Sequence, residues 1–180
     1  KKHLPYGNAT PLITVKDLID DDEAFVYMFG DDLTRSEVPV VKQLIDVYHR
    51  EKPAAILAVQ QVPDSEVDRY GTVKYKTNAD YKYEMELGLE KMPLGKNPSN
   101  MAQFGRFVFT YDVIDEVARM KTGQGGELWV LDALNNLAHS GKKVIAQPID
   151  GEWMTTGDPL RYLKATLAYA MDRPDLKDEL

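Results

Sequence analysis

The chain contains no cysteine, so disulfides, cysteine-ligated zinc and thiolate catalysis are excluded. No apolar run approaches the roughly 18 to 20 residues of a membrane span. No signal peptide is visible either, and we expect a cytoplasmic protein. The 22 basic residues are outnumbered by 29 acidic ones, giving a net charge of −7. This balance argues against nucleic acid or an anionic membrane as the main partner, but it leaves small anionic ligands possible.

What the chain does have is an ordinary globular composition, with 43% hydrophobic residues in 180. Two continuous apolar runs, Ala24–Phe29 and Ala54–Val59, predict strands that are buried on both faces of a parallel sheet. Between them, apolar residues recur at helical spacing from Val40 to Tyr48. A strand, a helix and a strand over this length predict a right-handed βαβ unit with parallel strands.

The second half of the chain changes pattern. Residues 72–76 and 81–89 alternate between apolar and polar, which predicts antiparallel strands joined across residues 77–80. Asp150–Gly151 predicts a hairpin, and Asp158–Pro159 predicts the N-cap and first residue of the last helix. The predicted buried face of that helix consists of Leu160, Leu163, Leu167 and Ala170. Residues 1–180 are therefore expected to form a single α/β domain with a mixed sheet.

Asp31 and Asp32 follow the first apolar run directly. Ligands bind to open α/β sheets beyond the carboxyl ends of the strands, where these two carboxylates are expected. Adjacent carboxylates suit a magnesium ion, which prefers oxygen ligands and often bridges to substrate phosphates. A turn or helix-capping aspartate is the alternative.

Two further motifs lie beside predicted strands. Gly71, in Tyr70–Gly71, opens a strand and would let a ligand approach the backbone closely, although an ordinary turn glycine also fits. Glu90 and Lys91 end the long alternating strand and should point to opposite faces unless the strand kinks there. They could bind hydroxyls through the carboxylate and a phosphate through the ammonium, or form a solvated pair.

The order of these motifs is more specific than any one of them. It resembles the bacterial UTP–glucose-1-phosphate uridylyltransferases, or UDP-glucose pyrophosphorylases, of the sugar nucleotidyltransferase superfamily. The matching stretches are Tyr6–Leu12, Phe25–Leu33, Val62–Val73, Leu89–Pro93, Pro98–Phe107, Gly125–Leu134 and Gly157–Ala165. The resemblance implies a three-layer Rossmann-like nucleotidyltransferase fold with a mixed, mostly parallel central sheet.

The same resemblance implies a reaction in which glucose 1-phosphate attacks the α-phosphorus of UTP and pyrophosphate leaves. Asp31 matches the aspartate that binds the catalytic Mg²⁺, and Lys91 matches a lysine on the sugar phosphate. Both are therefore expected to be catalytic. The expected substrate-binding residues are Gly7 beside the nucleobase, Tyr70 and Gly71 at the sugar, Glu90 on its hydroxyls, and Lys91.

The chain departs from the family pattern in several places. No Gly-x-Gly-Thr-Arg segment occurs, so the family's N-terminal third is expected to be missing. Ala9 replaces a second glycine, and Thr155 stands where many relatives have a second magnesium-binding aspartate. Arg106 and Glu127 are expected to form an ion pair or a helix cap.

These departures leave alternatives open. The chain could be a catalytically incomplete module that binds UDP-sugar or sugar phosphate. It could also belong to a transferase that uses another nucleoside triphosphate or sugar phosphate. Homo-oligomers are possible, with the helix from Pro159 as a candidate contact.

Overall fold

A six-stranded sheet forms the centre of the computed structural model, which describes residues 5–179. A separate two-stranded sheet joins β2 to β8. The strands are β1 (Ala24–Met28), β2 (Asp32–Arg35), β3 (Ala55–Gln61), β4 (Gly71–Tyr75), β5 (Met85–Glu90), β6 (Met101–Thr110), β7 (Val144–Pro148) and β8 (Glu152–Thr155). Strands are therefore confirmed at both apolar runs, as is the antiparallel pair of β4 and β5. Burial on both faces is confirmed for β3 but is wrong for β1, where Val26 and Met28 are 37% and 55% exposed.

Helices lie on both faces of the central sheet. The helices of the described chain are α1 (Thr10–Val15), α2 (Val40–Glu51), α3 (Tyr111–Arg119), α4 (Val130–His139), α5 (Pro159–Met171) and α6 (Pro174–Lys177), of which α5 packs on β8 of the small sheet and α6 on α5. Helix α2 buries Leu44 and Val47 against one face, whereas α1, α3 and α4 pack on the other. The three-layer arrangement is thus confirmed. Over the described residues, each of the helices is too short or too polar to cross a bilayer.

The order of strands in the sheet is β5-β4-β6-β3-β7, and β1 also pairs with β6. Strands β1, β3, β4 and β7 run in one direction, while β5 and β6 run in the other. The mixed sheet and the shared direction of β1 and β3 are as predicted. The expectation of a mostly parallel sheet needs correction, because β6 lies between β1 and β3 and only β3 and β7 pair in parallel among the described strands.

The predicted hairpin at Asp150–Gly151 is wrong. Strand β7 pairs with β3 in the central sheet, whereas β8 pairs with β2 in the small one. Gly151, with φ of 143°, carries the chain between the two sheets, and a Cβ there would lie 2.5 Å from the carbonyl oxygen of Arg35. The local turn signal is real, but the partners of the flanking strands are distant in sequence.

The predicted buried face of α5 is also wrong. Leu160, Leu163 and Leu167 are 59%, 54% and 44% exposed, whereas Ala165 on another side of the helix is buried. Asp158 does cap the helix, because its side chain accepts a hydrogen bond from the backbone N–H of Arg161. The short alanine side chain allows close packing on the domain, and the leucine side is left facing outward.

Candidate active site

Most of the predicted site residues line one cavity of about 340 Å³. It lies where β1 and β5 end, where β4 begins, and beside the turn from β8 to α5. The predicted residues that line it are Asp31, Tyr70, Gly71, Glu90 and Lys91. Gly7 does not line the cavity, although its neighbour Asn8 does.

Asp31 is exposed at the mouth of this cavity, just beyond the end of β1. Thr156 holds the backbone carbonyl of Asp31, which accepts hydrogen bonds from the backbone N–H of Thr156 at 2.7 Å and from the Thr156 hydroxyl at 3.0 Å. Within residues 5–179 the hydrogen bonds of Asp31 are those of its backbone, and its carboxylate makes no hydrogen bond or ion pair. The backbone is therefore held while the carboxylate stays available to a ligand.

Asp32 has a different role from its neighbour. Its side chain is buried and accepts hydrogen bonds from the backbone N–H of Gly105 at 2.7 Å and from the indole N–H of Trp153 at 2.6 Å. Burial raises the pKa of Asp32, although the hydrogen bonds from Gly105 and Trp153 oppose the rise. The sequence suggested two adjacent aspartates for a metal, but Asp32 is committed to holding the cavity wall.

Arg106 is structural, as expected, but the expected ion pair or cap is not what it makes. Its guanidinium donates to the carbonyl oxygens of Phe29 at 3.0 Å, Gly105 at 2.7 Å, and Asp32. The carbonyls of Phe29 and Asp32 flank the loop that carries Asp31. A side chain on β6 therefore fixes the β1–β2 loop from beneath.

Glu90 and Lys91 enter the same cavity although they are consecutive. The strand does kink, because Lys91 has a left-handed φ of 46° and its N–H donates to the carbonyl of Tyr70 at 3.1 Å. The Lys91 ammonium lies 5.8 Å from the centre of the Trp129 ring. This backbone reversal brings a carboxylate and an ammonium to one ligand.

The carboxylate of Glu90 is the most unusual polar group in the cavity. Its Oε2 atom is buried and has no hydrogen-bond partner among the described residues. Burial raises the pKa of Glu90, while the Lys91 charge lowers it and Asp132 raises it further. An unpaired buried acceptor costs about 1–3 kcal/mol, which a ligand hydroxyl would offset.

Aromatic rings form the wall between these groups. Trp153 stacks on Phe104 with ring centres 4.9 Å apart at 10°, and Tyr70 meets Trp153 edge-on at 4.9 Å. Trp129 also lines the cavity, so both tryptophans of the chain lie at it. Sequence reasoning did not assign them, although both are adjacent to motif residues.

Gly7 has a packing role in the structure. With φ of 144°, it presses against Leu128, whose carbonyl oxygen would lie 2.1 Å from a Cβ at this position. The next residue, Asn8, accepts a hydrogen bond from the N–H of Val130 at 2.8 Å. The expected position of Gly7 beside a nucleobase stays a prediction.

Charged side chains join the cavity mouth to α5. Arg161 donates to Asp158 at 2.7 Å and to Glu66 at 2.6 Å, and Arg69 donates to Asp158 at 3.2 Å. Hydrogen bonds from the backbone and side chain of Arg161 hold the pKa of Asp158 below its ordinary value. Asp158 is thus engaged as a cap and ion-pair partner.

The donor set suits a magnesium ion that arrives with phosphates. Within residues 5–179 no group of three or more metal-binding side chains converges. A Cβ on Gly157 would lie 3.3 Å from the Thr155 hydroxyl oxygen and 3.7 Å from Oδ2 of Asp31, so both oxygens lie beside the same glycine. Magnesium commonly uses one or two carboxylates with water and substrate phosphates, so Asp31 and Thr155 fit a shared site of that kind.

Comparison with known proteins identifies relatives over nearly the whole chain. A family model described as nucleotidyl transferase matches residues 1–172. The chain is 36% identical over 159 residues to the UTP–glucose-1-phosphate uridylyltransferase of Staphylococcus haemolyticus (strain JCSC1435), covering 88% of this chain and 54% of that protein. The same-named protein of Bacillus subtilis (strain 168) is 35% identical over the same shares. The chain therefore spans about half the length of these curated relatives.

A solved structure agrees with the fold. The crystal structure of a UDP-glucose pyrophosphorylase complexed with UDP-glucose has a TM-score of 0.85 and is 29% identical, covering 95% of this chain and 64% of that one. The likeness confirms the predicted nucleotidyltransferase fold.

Proposed function

The chain belongs to the nucleotidyl transferase family, and we propose that it supplies the sugar- and metal-binding part of a UTP–glucose-1-phosphate uridylyltransferase. In this reaction the phosphate oxygen of glucose 1-phosphate attacks the α-phosphorus of UTP. One new P–O bond forms at the α-phosphorus. The bond between the α-phosphorus and the oxygen that bridges it to the β-phosphate breaks, and pyrophosphate leaves. The products are UDP-glucose and pyrophosphate.

The convergence of Asp31, Glu90 and Lys91 on one cavity is the observation that carries this proposal. Glu90 offers an unpartnered acceptor to a sugar hydroxyl, and Lys91 offers a cation to the sugar phosphate. Asp31 faces the same space with a carboxylate free for a cation. The chain thus holds separate groups for the hydroxyls, the phosphate and the metal.

In such phosphate transfers the protein mainly positions the reactants and offsets charge. Bound Mg²⁺ would stabilise the negative charge on phosphate oxygens, and Asp31 with Thr155 would hold it. Lys91 orients the attacking phosphate, and the aromatic wall of Trp153 and Phe104 limits water on the sugar side. No side-chain nucleophile is required.

The test is UDP-glucose formation from UTP and glucose 1-phosphate by the purified protein. We expect Asp31→Ala and Lys91→Ala each to lower kcat/KM by about 100-fold or more, because each removes charge that acts on the phosphates. Asp22→Ala, in an exposed turn outside the cavity, is the matched control and should retain full activity. An active wild type whose two cavity variants lose no rate would refute the site assignment.

A binding module is the second candidate, and Thr155 favours it. A hydroxyl is a weaker ligand than a carboxylate, so among residues 5–179 Asp31 is left as the one uncommitted acidic side chain beside Thr155 in the cavity. Calorimetric binding of UDP-glucose without any turnover would support this candidate. Turnover by the protein would exclude it.

A further inference from the structure

We propose that Gln103 is a specificity-determining residue, whose carboxamide reads one sugar hydroxyl together with Glu90. This inference rests on the proposed function, because it concerns the sugar bound in the same cavity. Gln103 lines that cavity from β6 and had no role in the sequence analysis.

The sheet register explains how Gln103 and Glu90 come together. In β4, Gly71 pairs with Glu90 of β5 on one side. On the other side Thr72 pairs with Ala102 of β6, which sets Gly71 opposite Gln103. Directly paired residues share a face of a sheet, so Glu90, Gly71 and Gln103 form one row across three strands.

The glycine in the middle of this row opens a notch. A Cβ on Gly71 would lie 2.7 Å from Oε2 of Glu90 and 3.0 Å from Nε2 of Gln103. Both polar atoms therefore lean over the glycine backbone. Any larger residue at this position would fill the space where the two side chains approach each other.

The two side chains are also chemically available. Within residues 5–179, Oε2 of Glu90 is buried without a partner, and the Gln103 carboxamide beside Gly71 makes no hydrogen bond. A carboxylate accepts hydrogen bonds only, whereas the carboxamide N–H₂ donates. One hydroxyl over Gly71 can donate to Glu90 and accept from Gln103, which satisfies all three groups.

This pairing gives the pocket a means of discrimination. A sugar with its hydroxyl at this point satisfies the buried Glu90 oxygen. An analogue that lacks the hydroxyl, or carries it in the opposite configuration, leaves the oxygen unpaired. Sites built to bind a hydroxyl reject analogues that lack it much more strongly than apolar pockets reject a missing methylene.

The test combines a side-chain deletion with ligand deletions. Calorimetry would measure binding of glucose 1-phosphate and of its 2-, 3-, 4- and 6-deoxy analogues to the wild type and to Gln103→Met. Methionine keeps the length of the side chain and removes its polar atoms. Gln61→Met, on the neighbouring β3 and outside this cavity, is the matched control.

We expect Gln103→Met to weaken glucose 1-phosphate binding by about 5- to 10-fold, the size of one lost hydrogen bond. For one deoxy analogue the wild type and Gln103→Met should bind equally, because the partner hydroxyl is already gone. Gln103→Glu should weaken binding further, since it places a second carboxylate beside Glu90. Gln61→Met should match the wild type for every ligand.

The possible failures are distinguishable. If the wild type binds glucose 1-phosphate but Gln103→Met binds every analogue as the wild type does, the role of Gln103 is refuted and the proposed function stands. An equal loss for all analogues also refutes it, because no single hydroxyl would then be read. If the wild type binds no sugar phosphate, the proposed function fails as well.

Discussion

The indole N–H of Trp153 donates to a carboxylate oxygen of Asp32 at 2.6 Å. The two residues come from β8 and β2, which pair in the small sheet, and Trp153 forms the wall of the cavity. The other Asp32 oxygen accepts from Gly105 in the central sheet. One buried carboxylate therefore ties the small sheet to the large one at the edge of the site.

Replacing Asp32 by asparagine should destabilise the protein by about 1–3 kcal/mol, because an amide has one acceptor oxygen for two buried donors. Thermal unfolding would measure the loss. In a Trp129→Phe background, Trp153 is the single tryptophan, and its emission should shift when the hydrogen bond is lost.

Asp31→Asn is the neighbouring control for this change. Its carboxylate is exposed and unpartnered among the described residues, so unfolding and Trp153 emission should stay as in the wild type. Equal melting curves for Asp32→Asn and Asp31→Asn would contradict the structural role of Asp32.

Glu90→Gln should make the protein more stable at neutral pH. Burial raises the pKa of Glu90 above its ordinary 4.5. In the unfolded chain the carboxyl ionises first as pH rises, so stability is fully present below about pH 4.5 and is lost as pH passes through the raised folded pKa. Glutamine carries no charge at any pH and avoids this loss.

Melting curves of the wild type and Glu90→Gln between about pH 4 and pH 7 would test the direction of the predicted change in stability. The variant should melt higher at about pH 7 and match the wild type at about pH 4. The same variant should bind glucose 1-phosphate more weakly, since it loses the charged acceptor. If the melting temperature of the wild type rose relative to that of the variant as pH increased, the destabilising effect of burying Glu90 would be contradicted.

Local patterns predicted the elements that positioned much of this site. The apolar run before Asp31 and the pair Asp158–Pro159 each specify structure within a few residues, and both predictions were confirmed. The sequence assigned no role to the side chains of Gln103 and Trp153, because their importance depends on pairing with distant strands. The sequence left undecided whether the strand kinks at Lys91, because an alternating pattern does not indicate which residue adopts a left-handed conformation.

The helix α5 shows the opposite limit of sequence patterns. Its leucines have helical spacing, which indicates an apolar side but not what that side contacts. In the structure the small Ala165 faces the domain and the leucines do not. Periodicity therefore identified the helix and misplaced its buried face.

Asp158 is expected to stabilise the start of α5 in two ways. Its carboxylate caps the helix and pairs with Arg161 and Arg69. Asp158→Asn keeps a capping oxygen and loses the ion pairs, whereas Asp158→Ala loses both. The melting temperature at neutral pH should therefore fall in the order wild type, asparagine variant, alanine variant.

Lowering the pH should reduce the difference in melting temperature between the wild type and Asp158→Asn. Hydrogen bonds from Arg161 lower the pKa of Asp158 from 3.8, so its contribution is present above that pH and is lost as pH falls through the lowered folded value. Asp175→Asn is a control, because the ion pair of Asp175 within residues 5–179 is with its neighbour Arg173 on an exposed surface. Asp158→Asn and Asp175→Asn effects of equal size would contradict a role for Asp158 at the helix start.

Lys91→Gly should separate stability from binding. A left-handed conformation costs an L-residue with a Cβ about 1–2 kcal/mol, and glycine adopts it freely. Lys91 has φ of 46°, so the variant should unfold at a higher temperature at about pH 4, where Glu90 is protonated and loss of the Lys91 charge does not destabilise it. It should also bind glucose 1-phosphate at least about 10-fold more weakly, because the ammonium at the phosphate is gone.

Lys52→Gly provides the matched comparison for this variant. Lys52 has nearly the same φ, 47°, at the end of α2, and it lies outside the site cavity. Both glycine variants should raise the melting temperature by a few degrees, since about 1 kcal/mol shifts it by roughly 2–4 °C in a chain of this size. Calorimetry should then find weaker sugar-phosphate binding for Lys91→Gly and wild-type binding for Lys52→Gly. Equal binding by the two variants would show that the ammonium of Lys91 does not contact the phosphate.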